Sequence, residues 1–178
     1  MTEADKNFIE TCKEIIKNGY SSKGTNVRTR WEDGTEANYI SIVGVSNKYN
    51  VGKEFPMITL RNNTNTIKKA IDEILWIWQK KSNNVKDLNS HIWDQWIDEN
   101  GTIGKAYGYQ LGKKYEFKTK EGIKRMDQVD YVLYLLKNDP SSRRIMTNLF
   151  NHEELKDMRL EPCAYGTQWL VKEGKLNL

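Results

Sequence analysis

Apolar residues recur at helical spacing near the amino terminus. Phe8, Ile9, Cys12, Ile15 and Ile16 form one stripe and Gly19 is a natural stop, which predicts a first helix with Cys12 as core filler. Residues 38–45 are β-branched and apolar at Tyr39, Ile40, Ile42 and Val43, and they follow an Asp33-Gly34 turn signal, so a strand is expected there. The most apolar helix is expected over 66–80. Its buried face would be Ile67, Ala70, Ile71, Ile74, Leu75 and Trp78, with Glu73 at the margin. Another helix is expected over 127–137, with Val129, Val132, Leu133 and Leu136 inward. Asn138-Asp139-Pro140 ends it, because the residue before proline is driven out of the helical region.

Strands are expected over 144–150 and 163–172, with a short helix over 153–158 between them. Glu173-Gly174 reads as a tight turn, and Lys175-Leu176-Asn177-Leu178 as a return strand. A hairpin arm that stops so soon predicts a further carboxy-terminal portion. No repeat, linker or low-complexity stretch divides the chain, so residues 1–178 read as a single domain, cut at its carboxy-terminal end.

Composition narrows the class. The chain has 178 residues, 38% hydrophobic and 11% aromatic, enough apolar material for one sizeable core. Mean hydropathy is −0.77, and no apolar run approaches the roughly 18 residues of a membrane span. The charged, helical amino terminus is not a secretory signal, and the two cysteines make neither a disulfide framework nor a zinc pattern. A cytoplasmic protein without a metal is expected. The net charge of +4 is spread over short pairs such as Lys80-Lys81 and Arg143-Arg144, too sparse for a duplex-binding stripe but sufficient for a small phosphate.

A few residues could carry chemistry. Cys163 follows Pro162 at a strand start, where scaffolds present reactive groups; a thiol reacts as its thiolate, which a neighbouring guanidinium favours. By residue type alone it reads as a buried, inert cysteine. Arg143 and Arg144 offer two planar forks, although adjacent strand side chains point oppositely and solvated charge is their ordinary reading. Trp93 and Trp96 would ordinarily fill a core, yet rings left at a cleft stack on flat heterocycles. Tyr107 lies in a glycine-flanked loop, and Arg28 lies on a polar loop after the first helix.

The order of these blocks is more specific than any one of them. The chain runs Val27-Arg28-Thr29, Asp72-Glu73-Ile74-Leu75-Trp76, Ile92-Trp93-Asp94-Gln95-Trp96 and Gly104-Lys105-Ala106-Tyr107-Gly108. It continues through Asp127-Gln128-Val129-Asp130 and Asn138-Asp139-Pro140-Ser141-Ser142-Arg143-Arg144 to Glu161-Pro162-Cys163-Ala164-Tyr165. Together they resemble the folate-dependent, cysteine-using thymidylate synthases, over the amino-terminal two-thirds of a typical member.

The resemblance implies an α+β fold: a mixed β-sheet with helices on one face, and a homodimer formed through the other sheet face. It implies reductive methylation of dUMP to dTMP, with 5,10-methylenetetrahydrofolate as co-substrate. Cys163 matches the nucleophile that adds to uracil C6, Glu73 the carboxylate that organises water and protons, and Tyr107 the tyrosine near C5 proton removal. Ile92, Trp93 and Trp96 match the folate-side wall. Arg28 matches a phosphate ligand, and Arg143 and Arg144 match the pair that reaches the dUMP phosphate of the partner subunit. Ala164 stands where many members have His, Phe150 where Trp is common, and Arg61-Asn62-Asn63-Thr64-Asn65 is less basic than expected for folate-tail contacts. The blocks that read the base and close the site are expected beyond Leu178, so the isolated chain is expected to be inactive. Two other readings share these residues: a pyrimidine nucleotide hydroxymethylase, in which water replaces hydride, and a non-catalytic RNA- or partner-binding module.

Overall fold

The computed structural model describes all 178 residues, which pack as two compact units, Met1–Thr64 and Asn65–Leu178. In the first, α1 (Glu3–Asn18) starts at a reciprocal cap. The Thr2 hydroxyl accepts the Asp5 amide at 3.1 Å, and the Asp5 carboxylate accepts the Thr2 amide at 2.9 Å. Asp5 also takes the amide and hydroxyl of Thr59, each at 2.6 Å. The Thr59 hydroxyl is the main reason its carboxyl lies at about 2, against the opposing pull of burial. The expected stop at Gly19 is present, its amide returning to the Ile15 carbonyl. The expected stripe is only partly covered: Ile9, Cys12 and Ile15 are half-buried, while Phe8 and Ile16 are exposed. Cys12 is thus at the edge of packing, not core filler.

The strand expected over 38–45 shrinks to a two-residue ladder, β1 (Tyr20–Ser21) with β2 (Ile40–Ser41). Ser22 bonds the Tyr39 backbone through both its amide and its hydroxyl, and Gly44, at φ 75°, turns the chain away after Val43.

The chain passes into the second unit along α2 (Thr64–Leu75), capped by Asn62, whose side chain accepts the Thr64 amide and hydroxyl. It runs into a π-helical turn, Trp76–Lys80, that ends at Lys81 in the left-handed region. This overturns the expected inward face. Ala70, Ile71, Ile74 and Leu75 are exposed and Ile67 is half-buried, whereas Trp76 and Ile77 enter the core. The wider π turn rotates those two side chains inward, where Leu88, Trp93, Ile103, Ala106, Tyr107, Leu111 and Leu149 surround them.

A short helix, α3 (Gly108–Gly112), leads to the hairpin β3 (Tyr115–Thr119) with β4 (Gly122–Met126), and then to α4 (Gln128–Asn138). On α4, Val132 and Leu135 are buried with Ile145, while Leu133, expected inward, is exposed. β5 (Met146–Asn148) pairs antiparallel with β6 (Gly166–Gln168), and β7 (Leu170–Lys172) with β8 (Lys175–Asn177). The strand expected over 163–172 therefore splits, because its halves pair with different partners and residues 163–164 form a bend. The Glu173-Gly174 turn is present, with both residues at positive φ. The chain is α+β as expected, with its hydrogen-bonded ladders distributed over four antiparallel pairs. No helix is long and apolar enough to cross a membrane.

Asp127 caps α4 by accepting the Asp130 amide at 2.9 Å and is almost wholly buried. Burial pushes its carboxyl up, but the Asp130 amide and the Lys114 and Lys81 ammonium groups, each 2.7 Å from it, outweigh this and hold it at about 2. The folded value lies below the ordinary 3.8, so this stabilisation is complete above about pH 4 and is lost as pH falls toward about 2. Its size is on the order of 2 kcal/mol. Thermal melts of the wild type and Asp127→Asn should accordingly converge as pH is lowered through that window, and a constant gap contradicts the assignment.

Candidate active site

Cys163 sits in the bend that follows buried Pro162, and its side chain is exposed, which corrects the reading of an inert core thiol. Its backbone amide donates to the Tyr107 hydroxyl at 3.0 Å, joining segments far apart in sequence. Tyr107 precedes α3 with φ 40° and ψ −99°, a conformation a tyrosine adopts only when its surroundings impose it. The residue is buried, 8% exposed. Burial raises its phenol above the ordinary range, and the nearby Cys163 thiol and Glu73 carboxylate push the same way, against the donated Cys163 amide. The hydroxyl is therefore a neutral group that accepts from one side and can donate to another.

Trp93 packs edge-on against Tyr107 with ring centroids 5.5 Å apart, and edge-on against Trp96 at 5.4 Å. Its indole N–H donates to Glu73 Oε1 at 2.6 Å. Trp93 is a core side chain, while Ile92, Trp96 and Glu73 are half-buried. A carboxylate from α2 and a phenol from the start of α3 thus meet at one indole, and the phenol's hydroxyl receives the backbone amide of the exposed Cys163. That arrangement can hold a flat ring, present a sulfur nucleophile to it and move protons beside it.

The three arginines are exposed. Arg143 and Arg144 are exposed just before β5, and neither forms an ion pair. The Arg143 carbonyl accepts the Gln168 side-chain amide, which fixes the backbone and leaves its guanidinium to solvent. Arg28 is exposed in the first unit. No group of three or more His, Cys, Asp or Glu side chains is placed to hold a metal ion. Sequence reasoning did not find the Trp93–Glu73 bond or the left-handed Lys81. The run Lys81-Ser82-Asn83-Asn84, polar and helix-breaking directly after an apolar helix, was the available signal for the second.

The family profile described as thymidylate synthase matches residues 6–178. Thymidylate synthase 1 of Bacillus spizizenii is 50% identical over 182 residues, covering 100% of this chain and 63% of that protein. The thymidylate synthase of Bacillus phage phi3T is 49% identical with the same coverage. Among solved structures, thermostable thymidylate synthase A from Bacillus subtilis superposes with a TM-score of 0.88 at 49% identity, over 98% of this chain and 62% of that one. The chain thus spans somewhat less than two-thirds of the length of these relatives.

Proposed function

Since the chain belongs to the thymidylate synthase family, we propose that its residues carry the reductive methylation of dUMP to dTMP by 5,10-methylenetetrahydrofolate. The Cys163 thiolate adds to C6 of the uracil, and the electron pair displaced onto C5 attacks the folate methylene. A base then removes the C5 proton, and the amine of the folate leaves the methylene carbon. Hydride passes from tetrahydrofolate to that carbon as the thiolate departs, so the methyl group is formed and dihydrofolate is released. Electrons balance within the two substrates.

Tyr107 stands beside C5 proton removal, with Glu73 organising water and proton movement. Ile92, Trp93 and Trp96 flank the folate. Arg28 binds the dUMP phosphate, joined by Arg143 and Arg144 from the partner subunit of a homodimer formed through the sheet face. An exposed guanidinium pair with no carboxylate partner suits delivery to a neighbouring subunit. The two units act as one catalytic domain in a cytoplasmic methyltransferase. The observation that carries this reading is the exposed Cys163 thiol, whose own amide is held by the Tyr107 hydroxyl at 3.0 Å.

The test is a hybrid enzyme in which residues 1–178 replace their counterpart in the Bacillus subtilis relative, keeping the part of that protein that has no match here. Equal amounts of dTMP and dihydrofolate are expected from dUMP and the folate. Hydroxymethyl nucleotide without dihydrofolate would make the chain a hydroxymethylase, and a folded hybrid that yields no product would leave it a binding module.

A further inference from the structure

The two terminal residues of α3 are glycines, and both face the end of the π turn. A Cβ on Gly108 would lie 2.1 Å from the Ser82 carbonyl oxygen, and one on Gly112 would lie 3.2 Å from the Lys81 Cβ. The helix that begins directly after Tyr107 therefore meets the Ser82 backbone directly at Gly108 and rests on the base of the Lys81 side chain at Gly112. Lys81 itself has φ 52° and ψ 39°, a left-handed conformation that a lysine does not choose unaided. The Lys81 and Ser82 amides return to the Trp76 carbonyl, and the Lys81 ammonium group lies 2.7 Å from Asp127 Oδ2 and 3.3 Å from Asp130 Oδ1, with Asp127 buried at the start of α4. Lys114 shares the same two carboxylates at 2.7 and 3.0 Å. A chain of contacts thus runs from the α4 cap through Lys81 and the Ser82–Gly108 backbone contact to Tyr107, whose hydroxyl receives the Cys163 amide.

We propose that Lys81 is a positioning residue: anchored to Asp127, it fixes the turn on which α3 sits and so holds the Tyr107 hydroxyl against the Cys163 backbone. The significance for catalysis rests on the reading of Cys163 and Tyr107 given above, but the geometry can be read without it. Lys81 touches neither the thiol nor the phenol, and it acts only by setting where α3 begins.

Amide hydrogen exchange at Cys163, followed by NMR on the 178-residue chain, reports this contact directly. Tyr107→Phe removes the acceptor and should speed Cys163 exchange about tenfold. Lys81→Met should speed it by a similar factor, and Lys81→Arg, which keeps the ion pair, should restore most of the protection. The double variant should exchange no faster than Tyr107→Phe alone, because both changes break the same link. Lys81→Gln, which keeps a polar but uncharged and shorter side chain, gives the same comparison if the methionine variant unfolds. In the hybrid enzyme Lys81→Met should lower kcat with the KM for dUMP unchanged. Unaltered Cys163 exchange in Lys81→Met and Lys81→Gln, or effects of Lys81 and Tyr107 that multiply, would overturn the proposal. A hybrid that makes no dTMP while the exchange pattern holds would instead defeat the functional reading and leave the positioning intact.

Discussion

Replacing Cys163 by serine should reduce dTMP formation by the hybrid enzyme at least about a thousandfold, because an alcohol presents far less anion than a thiol and is a poorer nucleophile toward an activated double bond. The loss should come without instability. The side chain is exposed, and the bond this residue makes to Tyr107 is through its backbone amide, which serine retains. A surface change of this kind moves stability by at most about 0.5 kcal/mol, so the melting temperature should stay within about 2 °C. Binding of dUMP should also persist, since the phosphate contacts assigned to Arg28, Arg143 and Arg144 do not involve the sulfur. A serine variant with more than a few per cent of the parent rate would show that chemistry starts elsewhere. One that loses activity only because it unfolds would show that Cys163 is structural.

The second large effect is on stability. Trp76 is 0% exposed at the junction of α2 and the π turn, packs at 6.2 Å against Trp93, and donates its indole N–H to the Asn84 carbonyl at 3.0 Å. Truncation to alanine removes the largest fully buried side chain of the core and leaves a cavity plus an unpaired carbonyl. The expected cost is about 3 to 5 kcal/mol, a large share of the roughly 5 to 15 kcal/mol that holds a typical protein folded. Urea titration should show a lower midpoint with an unchanged slope. Trp76→Phe fills most of the volume and loses only the hydrogen bond, so its cost should be about 1 to 2 kcal/mol. Because Trp93 rests on Trp76 and holds Glu73, the alanine variant should also lose activity at temperatures where it remains folded. Equal costs for alanine and phenylalanine would mean that the cavity does not govern the loss.

How much of this could be read from sequence follows from where each feature gets its energy. The ends of α1 and α4 are set by neighbours within a few residues, Thr2 with Asp5, Gly19, and Asp127 with Asp130, and these were legible or nearly so. The Glu173-Gly174 turn is equally local. The strand over 38–45 was not legible, because a ladder needs a partner and this one offers Tyr20 and Ser21 only. The inward side of α2 was misread for a related reason. An apolar stripe marks which face can be buried, but burial depends on what packs there, and in this chain the π turn delivers Trp76 and Ile77 to the core while Ile71 and Ile74 remain exposed.

The candidate site divides the same way. Residue types at Cys163, Tyr107 and Glu73 suggested chemistry, and their order along the chain suggested a family. Their coming together, Glu73 and Tyr107 at Trp93 and Cys163 at the Tyr107 hydroxyl, is a matter of where α3 begins, and the left-handed Lys81 and the close Gly108–Ser82 contact beside it are encoded by no periodicity.

The central claim is that the Cys163 sulfur bonds to the pyrimidine. Intact-mass and peptide-mass measurement of the hybrid after incubation with 5-fluoro-dUMP and 5,10-methylenetetrahydrofolate addresses it most directly, because fluorine at C5 prevents proton removal and traps the covalent intermediate. The mass should rise by one nucleotide plus one folate per subunit, on the peptide containing Pro162-Cys163-Ala164 and nowhere else. A folded hybrid that gains no mass, or gains it at Cys12 or another residue, would contradict the account.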